Sequence, residues 1–120
     1  MSLLFALLAA SVTPGCVPAK EPAETREEVV DSFMAAMNRH DTATLGKYIK
    51  PGAKIVMGDD SVDLAMMMSA LNPNTTLTVL DKKFNQDKTI VVHYRTSPDN
   101  EEVSLSFAQD GGCVAGVTQV

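Results

Sequence analysis

The feature that most constrains the fold of this chain is a run of four segments in which polar and apolar residues alternate. The segments are TTLTVLDKKF (75–84), KTIVVHYRTS (88–97), EEVSLSFAQ (101–109) and CVAGVTQV (113–120). The short polar sequences NQD, PDN and DGG separate them. Alternation with a period of two indicates strands that are buried on one face, and short loops rich in Asn, Asp and Gly favour hairpins. The C-terminal part of the chain is therefore predicted to form an antiparallel meander of four strands.

The sequence ahead of these strands begins with a predicted amphipathic helix. TREE (25–28) has the pattern of a capping box, in which the Thr25 hydroxyl accepts from the Glu28 amide while the Glu28 side chain reaches back. The apolar residues that follow have the spacing of one helix face: Val30, Phe33, Met34 and Met37. A helix from the capping box to about Arg39 is therefore predicted.

Two further helices and a short strand are predicted before the meander. Asp41 is placed to cap the N-terminus of a second helix, which Pro51-Gly52 ends. AKIVM (53–57) is predicted to be a strand, and DDSVDLAMMMSALNP (59–73) a third helix that ends before proline. Because the helices are segregated from an antiparallel sheet, the fold class is α+β.

The first 19 residues contain no charged residue, in contrast to the rest of the chain. Their apolar run LLFALLAA is shorter than the roughly 20 residues that a membrane-spanning helix needs, and it is typical of the central region of an export signal. Residues 1–19 are therefore predicted to be an export signal or lipoprotein leader, 20–24 a tether and 25–120 the folded domain. A docked or disordered N-terminal arm is the alternative.

Cys16 determines how such a leader would be processed. The sequence TPGC resembles a bacterial lipoprotein cleavage site, after which Cys16 would carry the lipid, and simple cleavage after Ala19 is the competing prediction. The protein is accordingly expected to be periplasmic, or anchored by a lipid to the cell envelope of a bacterium, with no other membrane contact. A disulfide between Cys16 and Cys113 would require that Cys16 survive processing, and it is not expected.

Charge and motif content argue against several kinds of site. The formal net charge is −5 and Lys and Arg form no cluster of the kind that binds phosphates, so no nucleic-acid partner is expected. His40 and His93 lie far apart in the sequence and form no metal-ligand pattern. Neither a glycine-rich phosphate loop nor a Ser–His–Asp pattern occurs. No metal and no cofactor are expected.

Two stretches carry a resemblance to a known superfamily: FMAAMNRHDTATLGKYIKPGAKIVM (33–57) and FAQDGGCVAGVTQV (107–120). With the order of elements over residues 25–120, they resemble the nuclear transport factor 2-like superfamily, which includes SnoaL-like polyketide cyclases and ketosteroid isomerases. The resemblance implies a cone-shaped α+β fold, with three N-terminal helices packed on a curved, mainly antiparallel sheet. It also implies an apolar pocket between the sheet and the helices.

The isomerase branch of this superfamily uses a tyrosine on the first helix and a carboxylate at the end of the first strand. The resemblance places Phe33 at the tyrosine position and Met57 at the carboxylate position. Because phenylalanine donates no hydrogen bond and methionine takes no proton, that chemistry is not expected. Asp41 corresponds to a structural helix start, where a capping carboxylate stays charged and accepts protons poorly. His40, at the joint between two helices, is expected to face solvent.

The implied pocket is expected to be lined mainly by apolar side chains: Phe33, Met37, Met57, Met67, Tyr94 and Phe107. Tyr94 is the best polar group there, because a buried phenol seeks a partner, although Met67 and Tyr94 could equally be packed core residues. No catalytic residue is assigned.

The sequence favours an exported, non-catalytic domain that binds an apolar small molecule or an envelope protein. The alternative is an acid–base enzyme of the isomerase, cyclase or hydratase kind, using Tyr94 with Asp59 or Asp60.

A homodimer through the sheet is also predicted. Val91, His93 and Arg95 alternate to the face of a central strand that the helices cannot cover. A bare apolar area on that face would favour a two-fold contact between two copies, with the two His93 side chains near each other.

Overall fold

The computed structural model describes residues 14–120, in which three α-helices and six β-strands occur. The helices are α1 (Arg26–Asn38), α2 (Thr42–Tyr48) and α3 (Leu64–Ser69). The strands are β1 (Ile49–Met57), β2 (Asp60–Val62), β3 (Thr76–Phe84), β4 (Ile90–Ser97), β5 (Glu102–Asp110) and β6 (Cys113–Gln119). The helix α3 follows the first two strands, so the helices are not all N-terminal to the sheet.

The strands form one sheet in the order β2-β1-β6-β5-β4-β3. Neighbouring strands are antiparallel except β1 and β6, which pair in parallel, with Ile55 opposite Val117. The predicted α+β class is confirmed, and the predicted meander is present as β3 to β6. The parallel pairing places β1 beside β6, so the first and last strands of residues 14–120 are neighbours within the sheet.

The helix α1 forms the centre of the core. Its capping box is present, since the Glu28 amide donates to the Thr25 hydroxyl and the Thr25 amide donates to the Glu28 carboxylate. The apolar face of α1 is buried against the sheet, where the rings of Phe33 and Phe107 meet edge to face with their centroids 5.4 Å apart. An amphipathic helix gains most of its stability from such packing.

Two predicted boundaries were wrong. The third helix begins at Leu64 rather than at residue 59, because residues 60–62 pair with β1 as the strand β2. Gly58, at a φ of 66°, permits the tight turn between them. The strand β1 begins at Ile49, where the sequence predicts helix, because pairing with β6 starts there and continues beyond an irregularity that contains Pro51-Gly52.

The joint between α1 and α2 has a defined geometry. His40 adopts a left-handed φ of 57°, and its amide donates to the Met37 carbonyl while the Asp41 amide donates to the Ala36 carbonyl. These two hydrogen bonds form a Schellman motif, which ends α1. The expectation that His40 faces solvent was wrong, because the ring is half-buried and its Nε2 lies 3.1 Å from the Thr75 carbonyl oxygen. His40 therefore connects the joint to the loop before β3.

Asp41 caps α2 as predicted. Its carboxylate accepts from the Thr44 amide at 3.2 Å and from the Thr44 hydroxyl at 2.7 Å. These hydrogen bonds, of which the one from the hydroxyl is the stronger influence, lower the pKa of Asp41 below its ordinary value. Asp41 thus caps the helix, and its lowered pKa makes it a weak base.

We expect Asp41→Ala to lower the melting temperature at pH 7 by about 5 °C, and Asp41→Asn to lower it by less, because asparagine still caps a helix. Since the pKa of Asp41 is lowered, this contribution is fully present above the ordinary pKa of aspartate and is lost as pH falls through the lowered value. Thermal unfolding followed by circular dichroism measures the shift. The control is Asp59→Ala, which changes an exposed turn carboxylate. Equal melting temperatures for Asp41→Ala and the native protein would contradict the capping role.

Residues 14–24, the N-terminal strap, lie against the folded domain. The amides of Gly15 and Cys16 donate to carbonyl groups at the end of α2 and the start of β1, and the Ala19 amide donates to the Gly111 carbonyl at 2.8 Å. The part of the predicted leader that falls on residues 1–13 lies outside the described residues, and its processing stays a prediction. The rest of the predicted leader and the predicted tether pack on the domain in this structure.

A disulfide joins Cys16 of the strap to Cys113 at the start of β6. This pairing, which was not expected from the sequence, depends on the two glycines before Cys113. A side chain at Gly111 would approach the Ala19 carbonyl oxygen to 2.6 Å, and one at Gly112 would approach the Pro22 ring to 2.8 Å. The turn sequence DGG therefore forms a hairpin and also leaves room for the strap.

Candidate functional site

A cavity of about 260 Å³ opens between α1, α3 and one end of the sheet. We name it the methionine cavity, and the residues that line it are Met37, Met57, Met67, Ala70, Leu71, Tyr94, Thr96, Glu101, Val103, Leu105 and Gln119. The strands β1 and β6 both end here because they run in parallel, and the turn between β4 and β5 lies at the same end. The cavity is thus formed by residues that are distant in sequence.

Three methionines from three elements form the apolar part of the wall. Met37 lies on α1, Met67 on α3 and Met57 at the end of β1. Met37 and Met67 are buried, and Met57 is half-buried. Unbranched thioether side chains adapt to irregular shapes, so this part of the wall is suited to apolar groups of varied outline.

The six residues predicted to line a pocket separate into two groups. Met37, Met57, Met67 and Tyr94 lie together in the wall of the methionine cavity. Phe33 and Phe107 lie outside this wall, fully buried in the core and packed on each other. The difference arises because alternation along a strand shows which face is inward, but not how deep along the strand a residue lies.

Tyr94 supplies a free hydroxyl in the cavity wall. The residue is 7% exposed, and burial raises the pKa of its phenol, which therefore stays protonated at neutral pH. Within residues 14–120 the hydroxyl makes no hydrogen bond to protein, and it is not among the fully buried unpaired atoms. The Tyr94 hydroxyl therefore keeps some exposure to solvent, and it is free to donate to a ligand.

Thr96 and Glu101 are held together where β4 and β5 meet. The Thr96 amide donates to the Glu101 carbonyl at 2.8 Å, and the Glu101 amide donates to the Thr96 hydroxyl at 3.2 Å. These hydrogen bonds occupy the Thr96 hydroxyl and fix the backbone of Glu101. The Glu101 side chain is exposed at the mouth, and it is the one carboxylate among the residues lining the methionine cavity.

The enzyme alternative requires Tyr94 to act with Asp59 or Asp60. The wall of the methionine cavity contains Tyr94 but neither of these aspartates. Asp59 lies in the turn after β1 and Asp60 begins β2, and both are exposed and absent from the cavity lining. Glu101 was missed by sequence reasoning, although a signal for it exists. It precedes the inward-facing Val103 and Leu105 by multiples of two residues, so the same alternation directs it inward.

A second cleft, of about 430 Å³, is larger but offers less chemistry. Its lining residues are Pro14, Ile49, Ala53, Ile55, Val62, Asp63, Leu64 and Ala65. Asp63 is the one charged residue there, and its carboxylate accepts from the Met66 amide as the N-cap of α3. Because the Asp63 carboxylate already accepts a hydrogen bond from the helix backbone, the methionine cavity is the stronger candidate for a ligand site.

The face of the sheet opposite the helices is mostly polar. His93 Nε2 lies 2.9 Å from a Glu102 carboxylate oxygen, and Arg95 lies 3.1 Å from the other oxygen. Arg95, and to a lesser extent His93, lowers the pKa of Glu102 below its ordinary value. Val91 and these residues share one face as expected, but the ion pairs within the chain compete with contacts between copies. The homodimer through this face stays a prediction.

Between residues 14 and 120, no helix combines the length and apolarity required to cross a membrane. The same residues contain no group of three or more His, Cys, Asp or Glu side chains placed to hold a metal ion.

Several solved structures share this architecture. A nuclear transport factor 2-like protein of unknown function from Cytophaga hutchinsonii is 12% identical over 80% of this chain and 88% of its own, with a TM-score of 0.64. A proposed polyketide cyclase from Sinorhizobium meliloti is 15% identical over 77% and 93%, with a TM-score of 0.67. A protein with a ketosteroid isomerase-like fold from Catenulispora acidiphila, in complex with trimethylamine, is 12% identical over 80% and 86%, with a TM-score of 0.61.

These similarities show the fold of the protein. The chain has the nuclear transport factor 2-like cone fold, as the resemblance of its sequence implied. No protein-family model and no curated protein sequence matches the chain. At identities of 12–15% a shared fold does not establish a shared activity, so the function has to be inferred from the cavity itself.

Proposed function

We propose that this protein is an exported, non-catalytic cone-fold domain that binds a small apolar molecule in the methionine cavity. The observation that carries the proposal is the composition of the wall, where methionine and aliphatic side chains surround one accessible phenol. Ligand sites are typically apolar concavities with a few polar groups that orient the ligand. A binding partner from the envelope, without a small molecule, is the other form of this proposal.

The wall brings the Tyr94 phenol together only with a water-exposed carboxylate, Glu101, and this favours binding over catalysis. Tyr94 is held in its protonated form by burial, so it can donate a hydrogen bond but cannot act as a base at neutral pH. Glu101 is exposed to water at the mouth, while Asp59 and Asp60 lie outside the wall. The observation that favours an acid–base enzyme as the second candidate is that Tyr94 and Glu101 line one cavity. The proposed polyketide cyclase with the same fold is consistent with it.

The Cys16–Cys113 disulfide supports the export part of the proposal, because disulfides persist in oxidising compartments such as the periplasm. Cys16 must then remain in the mature chain, which favours processing upstream of it over cleavage after Ala19. Lipidation and a disulfide use the same sulfur and exclude each other. An anchored form would therefore lack the Cys16–Cys113 disulfide.

Binding can be tested with N-phenyl-1-naphthylamine, an uncharged apolar fluorophore. We expect saturable binding, weakened about tenfold or more by Val103→Phe, because the larger side chain would occupy the methionine cavity. Val91→Phe is the matched control, since Val91 is also half-buried on a strand but lies on the opposite face of the sheet. Fluorescence titration of folded variants gives the dissociation constants. Failure of the native protein to bind, or equal binding by both variants, would refute the cavity as the site.

A further inference from the structure

We propose that the methionine cavity selects amphipathic cations, such as alkyl ammonium ions, over neutral and anionic molecules of the same length. The inference rests on the proposed function and specifies the ligand's charge. The apolar body of the ligand would contact the methionine and aliphatic wall, and its ammonium group would lie at the mouth, beside Glu101 and within reach of the Tyr94 ring.

The charge of the lining is one-sided. Of the residues that line the methionine cavity, Glu101 carries a negative charge and none is Lys, Arg or His. A ligand carboxylate would therefore face a carboxylate without a compensating cation, whereas an ammonium group would gain an attractive partner. The net charge of −5 acts in the same direction, because it raises the local concentration of cations.

Glu101 is available for such a contact. Its amide and carbonyl bond to Thr96, but within residues 14–120 its carboxylate forms no hydrogen bond and no ion pair. The neighbouring Glu102 differs, because its carboxylate is paired with His93 and Arg95 on the other face of the sheet. The hydrogen bonds to Thr96 thus fix the backbone of a cavity-lining residue whose carboxylate has no partner within residues 14–120.

Tyr94 and the methionines add to the preference for a cation. The face of a phenol ring attracts an ammonium group, and thioether sulfurs are polarisable. The Tyr94 hydroxyl, which has no protein partner within the described residues, can orient a polar head group. A volume of about 260 Å³, close to that of nine waters at about 30 Å³ each, suits a ligand of similar heavy-atom count.

Isothermal titration with octylammonium, 1-octanol and octanoate tests the inference, because the three molecules share an alkyl chain and differ in charge. We expect octylammonium to bind about fivefold to tenfold more tightly than 1-octanol, the effect of a weak ion pair together with a cation–π contact, and octanoate to bind least. Added salt should reduce the advantage of the cation and leave 1-octanol unaffected.

Two variants assign the effect to a residue. Glu101→Gln should remove most of the advantage of octylammonium while changing 1-octanol affinity by no more than about twofold, since an exposed side chain contributes little beyond its charge. Glu102→Gln, with the same charge change on the opposite face, should retain the advantage. If 1-octanol binds and octylammonium binds no more tightly, the charge preference is refuted and the proposed function stands. If none of the three binds, both are refuted. Equal losses in the two variants would refute the assignment to Glu101.

Discussion

Loss of the Cys16–Cys113 disulfide is expected to lower the free energy of unfolding by about 3–5 kcal/mol. The two cysteines are 97 residues apart in sequence, so the bond restricts almost the whole described chain in its unfolded state. The effect grows with the length of the closed loop, and a loop of about 100 residues lies near the upper end of the range. Cys113 is fully buried, and the strap that carries Cys16 is hydrogen-bonded to the domain, so reduction also releases contacts in the folded state.

Urea unfolding of the protein with and without a reducing agent measures this effect. The control is the double variant Cys16→Ala/Cys113→Ala, which should unfold at one midpoint whether or not the reductant is present. A chain that begins at Lys20 lacks Cys16 and should resemble the reduced protein, so the same experiment evaluates cleavage after Ala19. Coincident midpoints for oxidised and reduced native protein would show that the disulfide contributes nothing to stability.

Phe33→Ala and Phe107→Ala are each expected to lower the free energy of unfolding by about 3–5 kcal/mol. Both rings are fully buried and packed edge to face, and truncation of either leaves a cavity that the surrounding helix and strands fill only in part. The two residues were predicted to line a pocket. Their positions in the core instead imply that substitution lowers the stability of the fold. Ligand binding would change only because the fold is destabilised.

Phe84→Ala is the matched control for this prediction. Phe84 lies on the edge strand β3 and is 58% exposed, so the same substitution there should change the free energy of unfolding by about 0.5 kcal/mol or less. Urea unfolding of the three variants gives the comparison. A cost at Phe33 or Phe107 no larger than that at Phe84 would contradict their placement in the core.

Local signals in the sequence determined a large part of this fold. The capping box at Thr25, the apolar spacing of α1 and the cap at Asp41 each depend on residues within one or two helical turns. The alternation and short loops of β3 to β6 likewise define neighbouring strands without reference to the rest of the chain. For this reason the predicted α+β class and order of the main elements hold in the structure.

The methionine cavity could be predicted only in part. Helical spacing identified Met37 and Met67 as inward, and alternation identified Tyr94, because burial of one face leaves a periodic pattern. The same alternation extends to Glu101, but this residue was not predicted to line the pocket, because a charged residue beside a turn is usually part of a solvated loop. Phe33 and Phe107 share the inward pattern and lie deeper, because periodicity gives the direction of a side chain and not its depth in the core.

Long-range pairings were decided by the tertiary structure alone. Three features join segments that are distant in sequence or lack a local signal: the parallel contact of β1 with β6, the short strand β2 and the Cys16–Cys113 disulfide. The sequence of each segment does not indicate which segment it pairs with. Ile49 follows the helical pattern of α2 and still begins a strand, because pairing with β6 and burial outweigh a weak local preference. Local propensities are small and depend on neighbouring residues, whereas these choices depend on surfaces that exist only after the chain has folded.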